Sequence, residues 1–424
     1  MLRLHGLRFE NDGKRIVYDY SYDGALSKYF NKNEVFFAEY DLDVSQIPTG
    51  IAVIPFLANF TPISWFAGFD IEIPEADATF LDSLESLKSE FFAHFKQIKF
   101  DSNVICKNSV RNKLDGNQTA LLFSGGLDAF EALTRNIDEN PFLVSVWGAD
   151  VSLDDEKRWD EFQRYNAEEE IINDDRVQYV KSNLRTFYTH HVDLLADMSW
   201  WGKVQHGMAL ISLIAPLSHI FGIRTVLIAS SNTGEVSFGW GSTSETDEKV
   251  KWADMKVIHD GFQFRRTEKI ENIVAFAHKT GHKAQLRVCY HEPRKGKNCS
   301  RCPKCQRTML GFVLCGENPN EYGFEMPSDF YDLLASNFEN QPVMTTGVAY
   351  EWRCLQEKSR QTTKLFFLEN PETEKNNIAT FTALRLDEVV KKDVESQSRV
   401  KKFKFIIISK FPRLFEWYLK FRRA

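Results

Sequence analysis

The chain lacks any uninterrupted apolar run of ~18 residues, and its first residues, Met-Leu-Arg-Leu-His-Gly-Leu, carry no apolar core with a cleavage site. Neither a membrane span nor secretion is expected, and the cytoplasm is the expected compartment. Positive charge is also short. Fifty-three Lys and Arg stand against 59 Asp and Glu, a formal net charge of −6, which disfavours a dedicated nucleic-acid binder. Low-complexity tracts and internal repeats are missing as well. Cysteines number only seven, an odd count, and four of them fall within Cys289 to Cys305. That clustering fits a metal site in a reducing compartment better than a disulfide framework.

What is present is ample core material, including 35 Phe, spread over 424 residues, enough for two or three domains. The expected divisions are an N-terminal α+β domain over 1–110, a central α/β domain over 111–315 and a helical region over 316–424. In the first, strands are expected at Arg15–Tyr20, Glu34–Tyr40 and Ile51–Phe56. A helix should cover Asp77–Ile98, where Phe80, Leu84, Leu87, Phe91 and Phe95 recur at helical spacing, followed by a polar linker over 101–118. Strands and helices then alternate, the mark of a parallel, doubly wound sheet. Its strands are expected at Ala120–Phe123, Phe142–Trp147, Val177–Lys181 and Thr225–Ala229, with an apolar helix over Gln205–Phe221. Such sheets bind ligands beyond the C-terminal ends of their strands. Ser124–Asp128, Gly148 to Asp150 and Ser230 to Asn232 should all fall there.

The first of these stretches is Leu121-Leu122-Phe123-Ser124-Gly125-Gly126-Leu127-Asp128-Ala129. A buried strand, a glycine-rich turn and a helix start aim backbone N–H groups and the positive helix end at one spot, which suits phosphate. Paired glycines keep Cβ atoms away from the anion. Asp128 reads as a magnesium partner, or as a first-turn acid complementing the helix dipole.

Cys289, Cys299, Cys302 and Cys305 form C-x9-C-x2-C-x2-C. Two-residue gaps let thiolates converge on one tetrahedral ion, and four of them leave no open coordination position, so a structural Zn²⁺ is expected. An iron–sulfur cluster is the rival. Lys295, Lys297, Arg301, Lys304 and Arg307 would offset thiolate charge.

Ser124-Gly125-Gly126-Leu127-Asp128 resembles the Ser-Gly-Gly-x-Asp-Ser signature of the PP-loop ATP pyrophosphatase superfamily, with Ala129 in place of the last Ser. With the cysteine knuckle behind it, residues 118–312 look like the 7-cyano-7-deazaguanine synthase family of queuosine biosynthesis. The resemblance implies a central domain of the HUP type, ATP and Mg²⁺ as cofactors, and a ligase-like enzyme that adenylates a carboxylate or amide for attack by a nitrogen nucleophile. It implies that Ser124, Gly125, Gly126, Leu127 and Asp128 hold pyrophosphate, with Ser124 and Asp128 as catalytic residues. Gly148, Asp150 and Ser230 would adjoin the nucleotide. The acceptor would be a small molecule or a protein terminus, with room for a homodimer. Asp128→Ala would then abolish adenylation and spare folding. The flanking hundred residues on each side fall outside the resemblance, and the family's Arg-Asn pair is replaced by Gln205-His206. Alternatives are a nucleotide-binding subunit without turnover and a tRNA sulfur transferase.

Further candidates are the Phe238–Ser242 loop with Trp240 as a stacking residue or loop anchor, and Asp247 behind it. His206 reads as a phosphate contact, a general base or a helix cap. Lys203 and Arg265 are candidates to neutralise leaving pyrophosphate, or else solvated charges; His190-His191 reads as a loop pair. The basic, aromatic tail 400–424 should dock on its own domain or meet an anionic surface. Cys106, Cys315 and Cys354 read as inert.

Overall fold

Ten segments join one sheet in the computed structural model, which describes residues 1–236, 239–289, 298–340 and 344–386. Phe238, Lys295, Lys297 and the tail 400–424 lie outside the described residues. In chain order the strands are β1 (Leu2–Glu10), β2 (Arg15–Tyr22), β3 (Phe37–Tyr40), β4 (Ile71–Asp77), β5 (Val104–Val110), β6 (Gln118–Leu122), β7 (Phe142–Trp147), β8 (Val177–Ser182), β9 (Ile223–Ala229) and β10 (Lys256–Asp260). Their spatial order is β10-β9-β6-β7-β8-β3-β2-β1-β4-β5. Pairing is parallel from β10 through β8 and again across β1-β4-β5, and antiparallel at β8-β3, β3-β2 and β2-β1. The protein is therefore α/β with a large, mostly parallel sheet.

Strands β6 to β10 form the doubly wound part. Taken by their order in the chain they lie third, second, first, fourth and fifth, so the winding reverses between β6 and β9. Side-chain parity splits the core between two faces. Ala120, Val144 and Val226 point into one cluster with the N-terminal helices and the Trp201–Phe221 run. Leu121, Leu143 and Leu227 point into the other, with helices Leu127–Arg135, Arg266–Thr280 and Pro303–Val313 and the C-terminal helices Thr346–Gln361 and Pro371–Ala383. Strand β10 escaped the sequence pattern because Lys256 and Asp260 bracket only three less polar residues.

The segment expected as a strand at Ile51–Phe56 is helical, within Thr49–Ala52 and Ile54–Ala67. An apolar run does not by itself distinguish a buried strand from a helix buried on every side. Every residue from Ile54 to Phe66 is buried, and Pro55 sits in the first turn, where its missing N–H costs no ladder bond. The expected linker over 101–118 contains β5. This is an edge strand whose mostly exposed or half-exposed side chains explain its polar composition.

Sheet and core both continue across the boundary expected near residue 110. β3 pairs with β8 through Ala38, Glu39 and Tyr40. Phe60 of the N-terminal helix stacks on Phe56 at 4.2 Å and meets Phe187, beyond β8, at 4.7 Å. The Trp201–Phe221 run has the length and apolarity of a membrane span, and 72% of that window is buried inside the protein. Its first turn, Trp201–Gln205, is π-helical.

Because Phe60 bridges the two regions, Phe60→Ala should lower unfolding free energy by about 3–5 kcal/mol. Urea denaturation should show both halves losing structure in one transition, followed by far-UV circular dichroism and by limited proteolysis on either side of residue 110.

Candidate functional site

Beyond the C-terminal ends of β6, β7 and β9 lies a cleft of about 510 Å³. It sits where the sheet reverses its winding, the position general to such sheets. The turn after β6 forms its floor. Gly125 has φ +71°, a conformation that favours glycine, and Gly126 caps the helix Leu127–Arg135 without any side chain occupying its end. The Gly126 N–H donates to Ser124 Oγ at 3.4 Å. The helix N-terminus therefore opens into the cleft with its N–H groups and dipole facing it.

Four cationic side chains line the same space: Arg158, Arg185, Arg287 and Lys304. They arrive from four different segments. Arg185 donates to the Ala149 carbonyl at 2.8 Å and lies over the Trp201 ring. Arg287 lies over Phe162, and its backbone N–H donates to the Gly125 carbonyl at 2.7 Å. Burial, with Arg158 adding like-charge repulsion, lowers the Arg287 guanidinium to about 10.

Asp128 is engaged by cations. Its Oδ1 is 3.2 Å from Lys269 Nζ and its Oδ2 is 3.5 Å from Arg266 Nη1. Lys269, 2% exposed, also donates to the Ser230 carbonyl, and Arg266 donates to Thr308 Oγ1 at 3.1 Å. Burial pushes the Asp128 carboxyl upward, but Lys269, Arg266 and Lys304 together outweigh it and hold it below the ordinary carboxylate value.

Beside Arg185 the cleft has an aromatic wall. The His206 ring lies 5.1 Å from Trp201 and 5.8 Å from Trp240, and all three line the cleft. Burial lowers the His206 pKa, while Asp150 and Asp247 pull it the other way. A neutral imidazole at neutral pH follows.

Of the residues expected at the site, Ser124, Gly126, Leu127, Asp128 and Asp150 line the cleft. Gly125, Gly148 and Ser230 do not: Gly125 only shapes the turn, Gly148 has φ +108° with no room for a Cβ against the Ser182 carbonyl, and Ser230 is buried in the turn it forms with Asn232. Ser231 takes the lining position instead. Arg265 pairs with Glu235 and Glu357, and Lys203 with Asp197, away from the cleft. The His190 and His191 rings meet at 4.2 Å, tilted by 35°, near Thr189. Asp247 is fully buried, accepting from Ser242 at 2.6 Å and paired with His259 Nδ1 at 2.9 Å. Lys269, Arg158, Arg185, Arg287 and Trp201 were not apparent as site residues because no spacing links them.

The four cysteines converge. Sγ separations are 3.9 Å for Cys289–Cys302 and Cys299–Cys305 and 3.4 Å for Cys302–Cys305, with all four within 4.8 Å of one another. A tetrahedron with bonds of about 2.3 Å has edges of about 3.8 Å, so the cluster can hold a metal such as zinc. The Cys302 N–H donates to Cys299 Sγ at 3.2 Å, and Cys302 caps the helix Pro303–Val313. Bonding from Cys302 drives the Cys289 thiol far down, while bonding to Cys289 drives Cys302 up to about 11 and Cys305 higher. A divalent cation is what allows all four to ionise together.

Compared with protein-family models, with curated proteins and with solved structures, the chain matches none.

Asp128→Ala leaves buried Lys269 without its counter-charge, so the expectation that folding is spared gives way to a loss of about 3–5 kcal/mol. The depressed carboxyl stabilises the fold above its ordinary value, and that contribution disappears as pH falls through its lowered native value. Thermal melts from neutral to acid pH should show wild type losing this increment and Asp128→Ala lacking it throughout. Elemental analysis should find one zinc per chain, absent in Cys302→Ser.

Proposed function

We propose that this cleft binds ATP and transfers its adenylyl group to a carboxylate or amide, as the resemblance to PP-loop enzymes implies. The observation carrying the reading is the open helix start at Gly126, at the winding reversal, facing four cations. An anion of several charges is the complement of that arrangement. The order third, second, first, fourth, fifth is in keeping with a HUP-type domain.

In the proposed reaction, Ser124 and the turn N–H groups bind the β- and γ-phosphates. An acceptor oxygen attacks the α-phosphorus, the bond to the bridging oxygen breaks, and pyrophosphate leaves with its charge held by Arg287 and Lys304. A nitrogen nucleophile then attacks the activated carbon and expels AMP, its proton passing to neutral His206. Trp201 and Trp240 offer flat faces to a planar group beside that centre. Asp128 does not fit a magnesium role, because both its oxygens face cations. Zinc at the cysteines would be structural, its shell closed by four thiolates.

A second reading, nucleotide binding without turnover, is favoured by that same cation pairing of Asp128 and by buried Ala129 where the superfamily signature has a hydroxyl.

The discriminating measurement is product analysis of ATP incubated with carboxylate acceptors. Equal AMP and pyrophosphate, reduced about tenfold to a hundredfold in Ser124→Ala by loss of a phosphate contact, is the expected result. ADP and phosphate would contradict adenylation, and ATP bound but unchanged with every acceptor would favour the second reading.

A further inference from the structure

Two of the cleft's cations belong to the cysteine knuckle. Arg287 stands two residues before Cys289, and Lys304 lies between Cys302 and Cys305. Both side chains line the cleft, and so does Cys289 itself. The segment entering the knuckle is bonded to the floor turn through the Arg287 N–H and the Gly125 carbonyl, 2.7 Å apart. Asn298, next to Cys299, fixes the same segment. Its side chain accepts from the N–H groups of Val288 and Cys289 at 2.9 and 3.1 Å and donates to the carbonyls of Leu286 and Gly323, each at 2.7 Å.

The helix leaving the knuckle is anchored differently. Met309, Leu310, Phe312 and Val313 are buried in the core cluster beneath the sheet. Cys302 and Cys305 of its first turn belong to the same cluster, and that turn and the 286–289 segment converge on the four sulfurs. A metal there would join the two segments that carry Arg287 and Lys304. Long flexible cations bind anions best when their positions are fixed beforehand.

We propose that the knuckle is the second wall of an anion site, in which metal on Cys289, Cys299, Cys302 and Cys305 holds Arg287 and Lys304 against the Ser124–Ala129 turn, so that metal occupancy sets the affinity of the cleft for a polyphosphate. The proposal rests on the reading of the cleft as an anion site. It adds that two residues act there as binding groups and that the sulfur cluster, beyond supporting the fold, controls them.

The test uses the full chain and inorganic pyrophosphate as probe, titrated calorimetrically into zinc-loaded protein, into chelator-stripped protein and into stripped protein reloaded with zinc. Circular dichroism monitors folding, and elemental analysis after titration confirms zinc content. Affinity should fall about tenfold to a hundredfold on stripping, the loss of one or two charge-assisted contacts, and return on reloading. In zinc-loaded protein, Lys304→Met should weaken pyrophosphate at least about tenfold with zinc content unchanged. Should stripping unfold the chain, control of affinity apart from folding is overturned, and Lys304→Met then tests only the binding role of that lysine. Equal affinity in folded stripped and loaded protein, or in Lys304→Met and wild type, overturns the control by the knuckle and leaves the anion site standing. No binding by loaded wild type overturns both.

Discussion

A half-buried negative charge makes the rest of the cleft possible. Lys269 and Arg266 project from the helix after β10 into a nearly dry region under the sheet, where unpaired cations are costly. Asp128, in the first turn of the helix after β6, compensates them. It thereby ties two helices of one layer together at the C-terminal edge of the sheet. The same carboxylate complements the dipole of its own helix, and against the effect of burial Lys269, Arg266 and Lys304 lower its proton affinity. The cations farther out, Arg158, Arg185, Arg287 and Lys304, face the cavity and give it its surplus of positive potential. A net negative chain thus carries a locally positive cleft, a contrast that a whole-chain charge of −6 conceals.

How much of this was legible in the sequence depended on whether the signal was local. Strands β6 to β9 were found to within two residues at their ends because they are short runs rich in β-branched, aromatic and aliphatic residues. The Ser124–Asp128 turn and the cysteine spacing were also found, since chemistry at those places depends on neighbours in the chain. The Ile51–Phe56 run failed because an apolar stretch without alternation is compatible with two backbones, and only the all-round burial of Ile54–Phe66 separates them. The cations failed for another reason. Arg158, Arg185 and Arg287 come from separate segments and meet only through the winding of the sheet, which no local pattern encodes. Arg265 shows the converse: attractive in sequence, it is taken up by Glu235 and Glu357.

The ten-stranded sheet ties the N-terminal residues to the elements that carry the cleft. β3 extends the doubly wound strands beyond β8, and the helix Ile54–Ala67 packs on the Trp201–Ser212 stretch, whose Trp201, His206 and Leu210 line the cavity. The aromatic packing around Phe60 makes that contact dry and close. Rigidity at the strand ends is what a preorganised binding site needs.

The π-helical turn at Trp201–Gln205 has a mechanical meaning. Its widened loop lets adjacent residues serve opposite clients: Gln205 donates to Asn59 Oδ1 and the Leu184 carbonyl, at 2.8 and 2.7 Å, while His206 turns toward the cavity. Asn59 belongs to the N-terminal helix, itself bonded back to Pro55. The place of the imidazole in the cavity wall is therefore tied, through one amide and one peptide link, to a helix that lines no part of the cavity itself.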